Sequence, residues 1–220
     1  MVVVRALFVQ TFVIPSGSME PGLQVGDRVV VSRLDYRFGA IQRGDVVVFD
    51  GEGVFTPPRQ PGSVLAEAGR TVAGALGAPV AESDFVKRVV GLGGDRVVCC
   101  DENGRITVNG RPVEEPYVYP GDDPSDVPFD VKVPPGRLWV LGDHRSSSAD
   151  SREHLGDPGA GMVPVDRVVG RVVAVWWPWS RATGVGRASA EPGVTPRVSV
   201  SAPRTDTATG PSALHERPPE

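Results

Sequence analysis

At 220 residues with 40% hydrophobic side chains, the chain is long enough to bury one core and a small second lobe. A formal net charge of −4, with no block of Lys or Arg, leaves no electrostatic footprint for nucleic acid and excludes that class of partner. The 27 Gly and 22 Pro scattered among short valine runs disfavour long helices and predict a mostly β fold of short strands and turns.

Residues 1 to 14 are apolar but interrupted by Arg5 and Gln10, and they fall short of the ~20 residues of a membrane-spanning helix. Their Val, Phe, Thr and Ile favour a first strand, with the end of a membrane anchor or an amphipathic surface segment as the other readings. No charged, apolar and small-residue succession typical of a secretory leader is apparent before the next segment. Residues 14 to 21 read Ile-Pro-Ser-Gly-Ser-Met-Glu-Pro, a loop bracketed by Pro15 and Pro21 with Gly17 free to turn. By itself such a string is a surface turn, yet it also holds the Ser18 hydroxyl in a defined place, as a nucleophile requires.

Gly26-Asp27 feeds a strand at Arg28–Ser32, and Gly44-Asp45 feeds another at Val46–Asp50. Residues 51–84 change character, with Pro57-Pro58 and Pro61-Gly62 before Leu65, Ala68, Val72 and Leu76 at helical spacing, and read as an insertion with one weak helix. Strands return at Phe85–Val90 and Arg96–Cys100, and Asn109-Gly110 between Ile106–Val108 and Arg111–Val113 is a strong hairpin signal. Residues 114 to 136, rich in Pro and Asp, read as a surface loop, Leu138–Leu141 as a strand, and Gly142 to Gly161 as a polar loop. A long last strand runs from Val165 to Trp177, and residues 181–220, without aromatic residues or period, read as a disordered tail. The neighbours Cys99 and Cys100 are expected as two thiols in a strand, a vicinal disulfide being the strained alternative. His144, His154 and His215 show no metal-ligand grouping, so neither metal nor cofactor is expected.

A serine nucleophile needs a base within hydrogen-bond reach, and Lys87, His144 and His154 are the candidates. Strand alternation places Lys87 on one face with Phe85 and Val89, flanked by apolar neighbours, and burial lowers an ammonium pKa. A working value near 8 would cost about 3 kcal/mol of charge stabilisation. A strand lysine that snorkels to solvent is the competing structural reading. His144, in a loop thick with Asp, Arg and Ser, is the competing base.

Taken together, these segments resemble the type I signal peptidases, membrane-bound serine proteases with a Ser-Lys dyad. The resemblance rests on four pieces in order: Ile14–Pro21; Gly26–Val31 with Arg43–Phe49; Phe85-Val-Lys-Arg-Val-Val-Gly-Leu-Gly-Gly-Asp95; and Gly142-Asp-His-Arg-Ser-Ser-Ser-Ala-Asp-Ser-Arg152. It spans residues 8–178 and implies a signal-peptidase-like fold of short antiparallel strands with a small β-hairpin second lobe at 100–136. It makes Ser18 the nucleophile, Lys87 the general base and Ser16 an oxyanion donor with the Ser18 backbone N–H. Ser148 would hold the lysine amine, and the pairs Asp143 with Arg88 and Asp150 with Arg152 would buttress the site. Arg145 is a motif position without a role. Phe12, Ile14, Met19, Leu23 and Val86 match the lining of pockets that accept small residues one and three positions before the scissile bond. Gly93 and His144 stand where the family usually has proline and asparagine.

The implied function is cleavage of signal peptides from secreted preproteins, at the membrane surface on the extracytoplasmic face of the cytoplasmic membrane. Two other readings are a self-cleaving repressor core, which would need an attached DNA-binding domain, and an inactive module that binds signal peptides without cutting.

Overall fold

In the computed structural model, which describes residues 9–34, 40–57 and 83–187, the valine runs become the strands of two sheets. In chain order these are β1 (Val9–Val13), β2 (Arg28–Ser32), β3 (Val46–Asp50), β4 (Asp84–Leu92), β5 (Arg96–Cys99) and β6 (Thr107–Val108). They continue as β7 (Arg111–Pro112), β8 (Phe129–Lys132), β9 (Arg137–Leu141), β10 (Val163–Pro164), β11 (Val168–Trp177) and β12 (Thr183–Gly184). The larger sheet runs β1-β2-β11-β3-β4-β9-β10, with β12 added to β11; the smaller runs β7-β6-β5-β8. The named strands pair antiparallel throughout, so the chain is mostly β, as its composition predicts.

The central strands explain the unbroken apolar runs. β3 lies between β11 and β4 and is covered on both faces. Val46 and Val48 pack with Phe12, Ile14, Met19 and Val86, while Val47 and Phe49 pack on the opposite face with Val89, Leu138 and Val140. A strand buried on both sides has no polar face to alternate with. β2 shows the other pattern, with Val29 and Val31 buried between more exposed neighbours. A third cluster, built on Val97, Ile106, Phe129, Val131 and Trp139, joins the smaller sheet to β9. The hairpin between β6 and β7 turns at Asn109 (φ 54°) and Gly110 (φ 75°), the two positive φ values that a type I′ turn demands.

Several expectations are corrected. Within the expected surface loop at 114–136 lies β8, which pairs with β5 and buries Phe129 and Val131 while turning Asp130 and Lys132 outward. Its four-residue alternation is masked by flanking prolines at 128 and 134. The last strand begins at Val168, not Val165, because Val165–Arg167 forms a 3-10 turn after the two-residue β10. The chain from Arg181 to Arg187 is structured: β12 pairs with β11, Val185 packs on the core, and Arg181 and Arg187 bond to Asp27 and Asp45. Cys99 and Cys100 are joined as a vicinal disulfide, not two thiols. Cys99, at the end of β5, faces the core while Cys100 is exposed. The helix expected over Leu65 to Leu76, residues 1–8 and the tail from 188 lie outside the described residues.

The β8 assignment is testable by equilibrium unfolding. Phe129→Ala, which removes a ring packed 5.3 Å from that of Trp139, should cost about 3 kcal/mol. Lys132→Ala, on the solvent side of the same strand, should stay within about 0.5 kcal/mol.

Candidate functional site

The Ser18 loop leaves β1 at Val13 and is closed at its base by two backbone hydrogen bonds, Ile14 N–H to Asp27 O (2.8 Å) and Gly26 N–H to Ile14 O (2.9 Å). Inside it, Glu20 N–H donates to Gly17 O and Leu23 N–H to Met19 O, so the chain folds back on itself. Pro15 and Ser16 stay exposed while Ser18 and Met19 turn inward. From β4, opposite Val47 of β3, Lys87 reaches across to this loop, and its Nζ donates to Ser18 Oγ at 2.8 Å. Sixty-nine residues separate the two in sequence. Ser16 Oγ lies 3.4 Å from Ser18 Oγ.

Lys87 is 3% exposed, and the pKa of its amine falls from 10.5 to about 8. Burial, which disfavours the charged form, is the main cause; the Asp150, Asp143 and Glu153 carboxylates pull the value back up, and Arg152 pushes it down. A lysine so placed is partly neutral near physiological pH and can accept a proton from the hydroxyl it touches.

Around it stand the expected charge pairs. Arg88, the next residue on β4, makes a two-pronged contact with Asp143 (2.8 and 2.6 Å) and donates to Gly44 O. Arg152 meets both oxygens of Asp150 (2.9 and 2.9 Å), and Asp150 also accepts the Gly142 N–H. The charges of the 142–152 loop are thus buried in the fold, while Ser146, Ser147 and Ala149 stay exposed. The loop approaches the nucleophile closely: His144 N–H donates to the Ser18 carbonyl (3.1 Å), and a Cβ on Gly142 would come within 2.6 Å of that same oxygen. Ser148 is buried against Gly142, but its hydroxyl has no hydrogen-bond partner among the described residues, so the expected contact with the Lys87 amine is not formed. The amine is turned toward Ser18 instead.

The His144 ring stacks on Tyr119, with centroids 3.9 Å apart, and its Nδ1 lies 3.9 Å from Glu20. His154 stacks on Phe55 and bonds to Asp157. Both rings are engaged away from the Ser18 hydroxyl, which leaves Lys87 as the base in contact. Among the described residues no group of three His, Cys, Asp or Glu side chains converges as a metal site.

Beside the Ser18–Lys87 pair opens a cavity of about 230 Å³ lined by Ile14, Pro15, Ser16, Met19, Asp84, Phe85 and Val86. Of the expected lining residues, Ile14, Met19 and Val86 face it, whereas Phe12 and Leu23 pack in the same apolar cluster without lining it. A second cavity of about 290 Å³, between Ile41, Leu92, Arg137 and Val165, has no nucleophile in its walls.

Three residues of the site, Glu115, Tyr117 and Tyr119, escaped the sequence reading, and Arg145 was named there without a role. Arg145 is fixed by Glu115 (2.6 and 3.2 Å) and by Gly142 O (2.9 Å), and Tyr117, bonded to Glu115, lies 4.1 Å beneath the Arg88 guanidinium. Tyr119 carries the His144 ring. The signal for the three was the Glu-Pro-Tyr-Val-Tyr string at 115–119, two aromatics at the head of a Pro- and Asp-rich segment.

Comparison with known proteins gives a consistent picture. Residues 1–177 match the family model described as signal peptidase, peptidase S26. A protein of Mycobacterium leprae named "Probable signal peptidase I" is 41% identical over 216 residues, covering 83% of this chain and 73% of that one. The signal peptidase I of Mycobacterium tuberculosis is 44% identical, with 77% of this chain and 65% of that protein covered. For the signal peptidase I of Leptolyngbya laminosa the figures are 36%, 84% and 79%.

The buried amine makes a prediction about stability. Because Lys87 binds its proton less tightly folded than unfolded, its ionisation opposes folding fully below pH 8 and ceases to do so as pH rises toward 10.5. Lys87→Met should therefore raise stability at pH 7 by up to about 3 kcal/mol. Urea unfolding at pH 7 and pH 10 checks this: the gain should shrink at the higher pH, and a variant no more stable at pH 7 would contradict it.

Proposed function

The chain belongs to the signal peptidase family, peptidase S26, and on that premise we propose that it is a serine endopeptidase that removes signal peptides from secreted preproteins. The observation that carries the reading is the 2.8 Å hydrogen bond from the buried Lys87 amine to the Ser18 hydroxyl. In its neutral form Lys87 takes the Ser18 proton as Oγ attacks the scissile carbonyl. The backbone N–H of Ser18 and the Ser16 hydroxyl receive the oxyanion, and the protonated lysine returns the proton to the departing amine. Water, deprotonated by the same lysine, then hydrolyses the acyl-enzyme and frees Ser18. Ser148, in the 142–152 loop, whose buried hydroxyl has no partner among the described residues, serves as a second acceptor for the amine when Ser18 is acylated.

The small apolar cavity supports a preference for small residues before the scissile bond, the A-x-A type of site. Among the described residues β9 pairs with β4 only from Arg88 onward, and the edge of β4 at Phe85–Lys87 is where we place an extended peptide laid beside Ser18. Support for a membrane surface as the place of work comes from the end of the large sheet, where Val13 and Trp177 flank Arg28 in register and Val25 and Trp179 are also exposed. Exposed Trp beside aliphatic residues suits a lipid interface. Among the described residues no helix is long and apolar enough to cross a membrane. The proposed setting is the extracytoplasmic face of the cytoplasmic membrane.

Cleavage of a preprotein with an Ala-x-Ala site should vanish in Ser18→Ala and fall by about 10³-fold or more in Lys87→Ala. In the unaltered protein kcat/KM should climb with pH until Lys87 is neutral, with an apparent pKa near about 8; full activity in either variant would refute the dyad. Sedimentation with phospholipid vesicles should carry the protein down, and Trp179→Ser should reduce the bound fraction severalfold, whereas equal binding by both would remove that surface from the proposal.

A further inference from the structure

The Ser18 loop is clamped from outside by a side chain that plays no part in the chemistry. Beyond β11 the chain makes a 3-10 turn at Trp179–Arg181 and then returns as β12, with Gly184 opposite Ala174 and Thr183 opposite Val175. That turn delivers Arg181 to Asp27. Its Nε lies 3.0 and 3.3 Å from the two carboxylate oxygens, and its Nη2 donates to Asp27 Oδ2 (3.0 Å) and to Gly22 O (3.2 Å). Asp27 is 2% exposed and also accepts the Gln24 N–H through Oδ2. Its own carbonyl receives the Ile14 N–H that closes the loop. One planar guanidinium thus ties down residues 22 and 27, the returning limb of the segment that carries Ile14, Ser18 and Met19. Such a fork is a geometry that an ammonium does not reproduce.

The cavity beside Ser18 has two walls of different stiffness. Val86 belongs to β4 and is held by the β3 ladder, where it faces Val48. Ile14 and Met19 belong to the loop, whose backbone bonds are the few turns described above and whose return is fastened by Arg181. We infer that Arg181 is a positioning residue that, through Asp27 and Gly22, sets the width of the substrate cavity and so enforces its preference for small side chains. This rests on the signal-peptide reading of the site. Arg181 touches neither Ser18 nor the cavity, so its loss should relax discrimination more than it slows bond cleavage.

The experiment compares kcat/KM for two synthetic signal-peptide substrates, one with Ala-x-Ala before the scissile bond and one with valine in the last of these positions. In Arg181→Ala the valine-to-alanine ratio should rise about tenfold, the scale on which a pocket senses a methylene or two. Arg181→Lys, which keeps the charge without the fork, should give a smaller rise and serves where the alanine variant folds poorly. Asp27→Asn should shift the ratio in the same direction, and Arg181→Ala with Asp27→Asn together no further than the larger single effect. Because both substrates meet the same folded fraction, the ratio is blind to a loss of stability alone. Ser18-dependent cleavage with an unchanged ratio in the Arg181 variants overturns the inference by itself, as do shifts that add in the double variant. Absence of Ser18-dependent cleavage in the unaltered protein overturns the signal-peptide reading and the inference with it.

Discussion

Four cations are buried side by side around one serine: Lys87, Arg88, Arg145 and Arg152. Each arginine meets a carboxylate, Arg88 with Asp143, Arg145 with Glu115 and Arg152 with Asp150, whereas Lys87 meets the Ser18 hydroxyl. That asymmetry governs the site. Were a carboxylate in contact with the amine, the ammonium form would be held and the lysine would be useless as a base. With the carboxylates already engaged by arginines, desolvation dominates and the amine is brought to about 8.

The arrangement has a structural cost that the surrounding sheet offsets. A polar amine in the interior needs strands around it that cannot shift to let water in; β3, apolar on both faces, and β4, buried along most of its length, supply them, paired through five consecutive residues. The same logic explains how a loop as polar as 142–152 buries its charges. Its charges bond to one another, to backbone and to the 115–124 segment, so nearly every buried polar group has a partner. Among the described residues of this loop the exceptions are the Ser148 hydroxyl and His144 Nδ1. An unengaged polar group there fits a site that must exchange partners during a reaction.

The two sheets divide the work. The larger one carries the nucleophile loop at one strand end and the base on a central strand, while the smaller sheet and its long connection bring Glu115 and Tyr117 beneath the arginines. Rigidity thus enters the site from three directions: the β3–β4 ladder under Lys87, the buried ion pairs under Arg88, and the turn after β11 behind the Ser18 loop. None of these is local in sequence, which makes the site a property of the whole fold.

What the sequence by itself determined is what short-range chemistry encodes. The valine runs, the Gly-Asp turns and Asn109-Gly110 placed most strands of the large sheet and the hairpin, and the order of motifs marked Ser18 and Lys87 as a pair. It misread β8 because two prolines hide a four-residue alternation, and it ended the fold at Arg181 because ion pairs with distant aspartates leave no trace in composition. It saw the charges of 142–152 without the partners that bury them, and missed Glu115 and Tyr117 for the same reason. Tertiary structure alone decided that the Lys87 amine is buried, that it points at Ser18 and not Ser148, and that Ile14, Met19 and Val86 line the cavity beside it. Burial and contact depend on strands brought together from β1, β3, β4 and β9, and desolvation acts only once they have met.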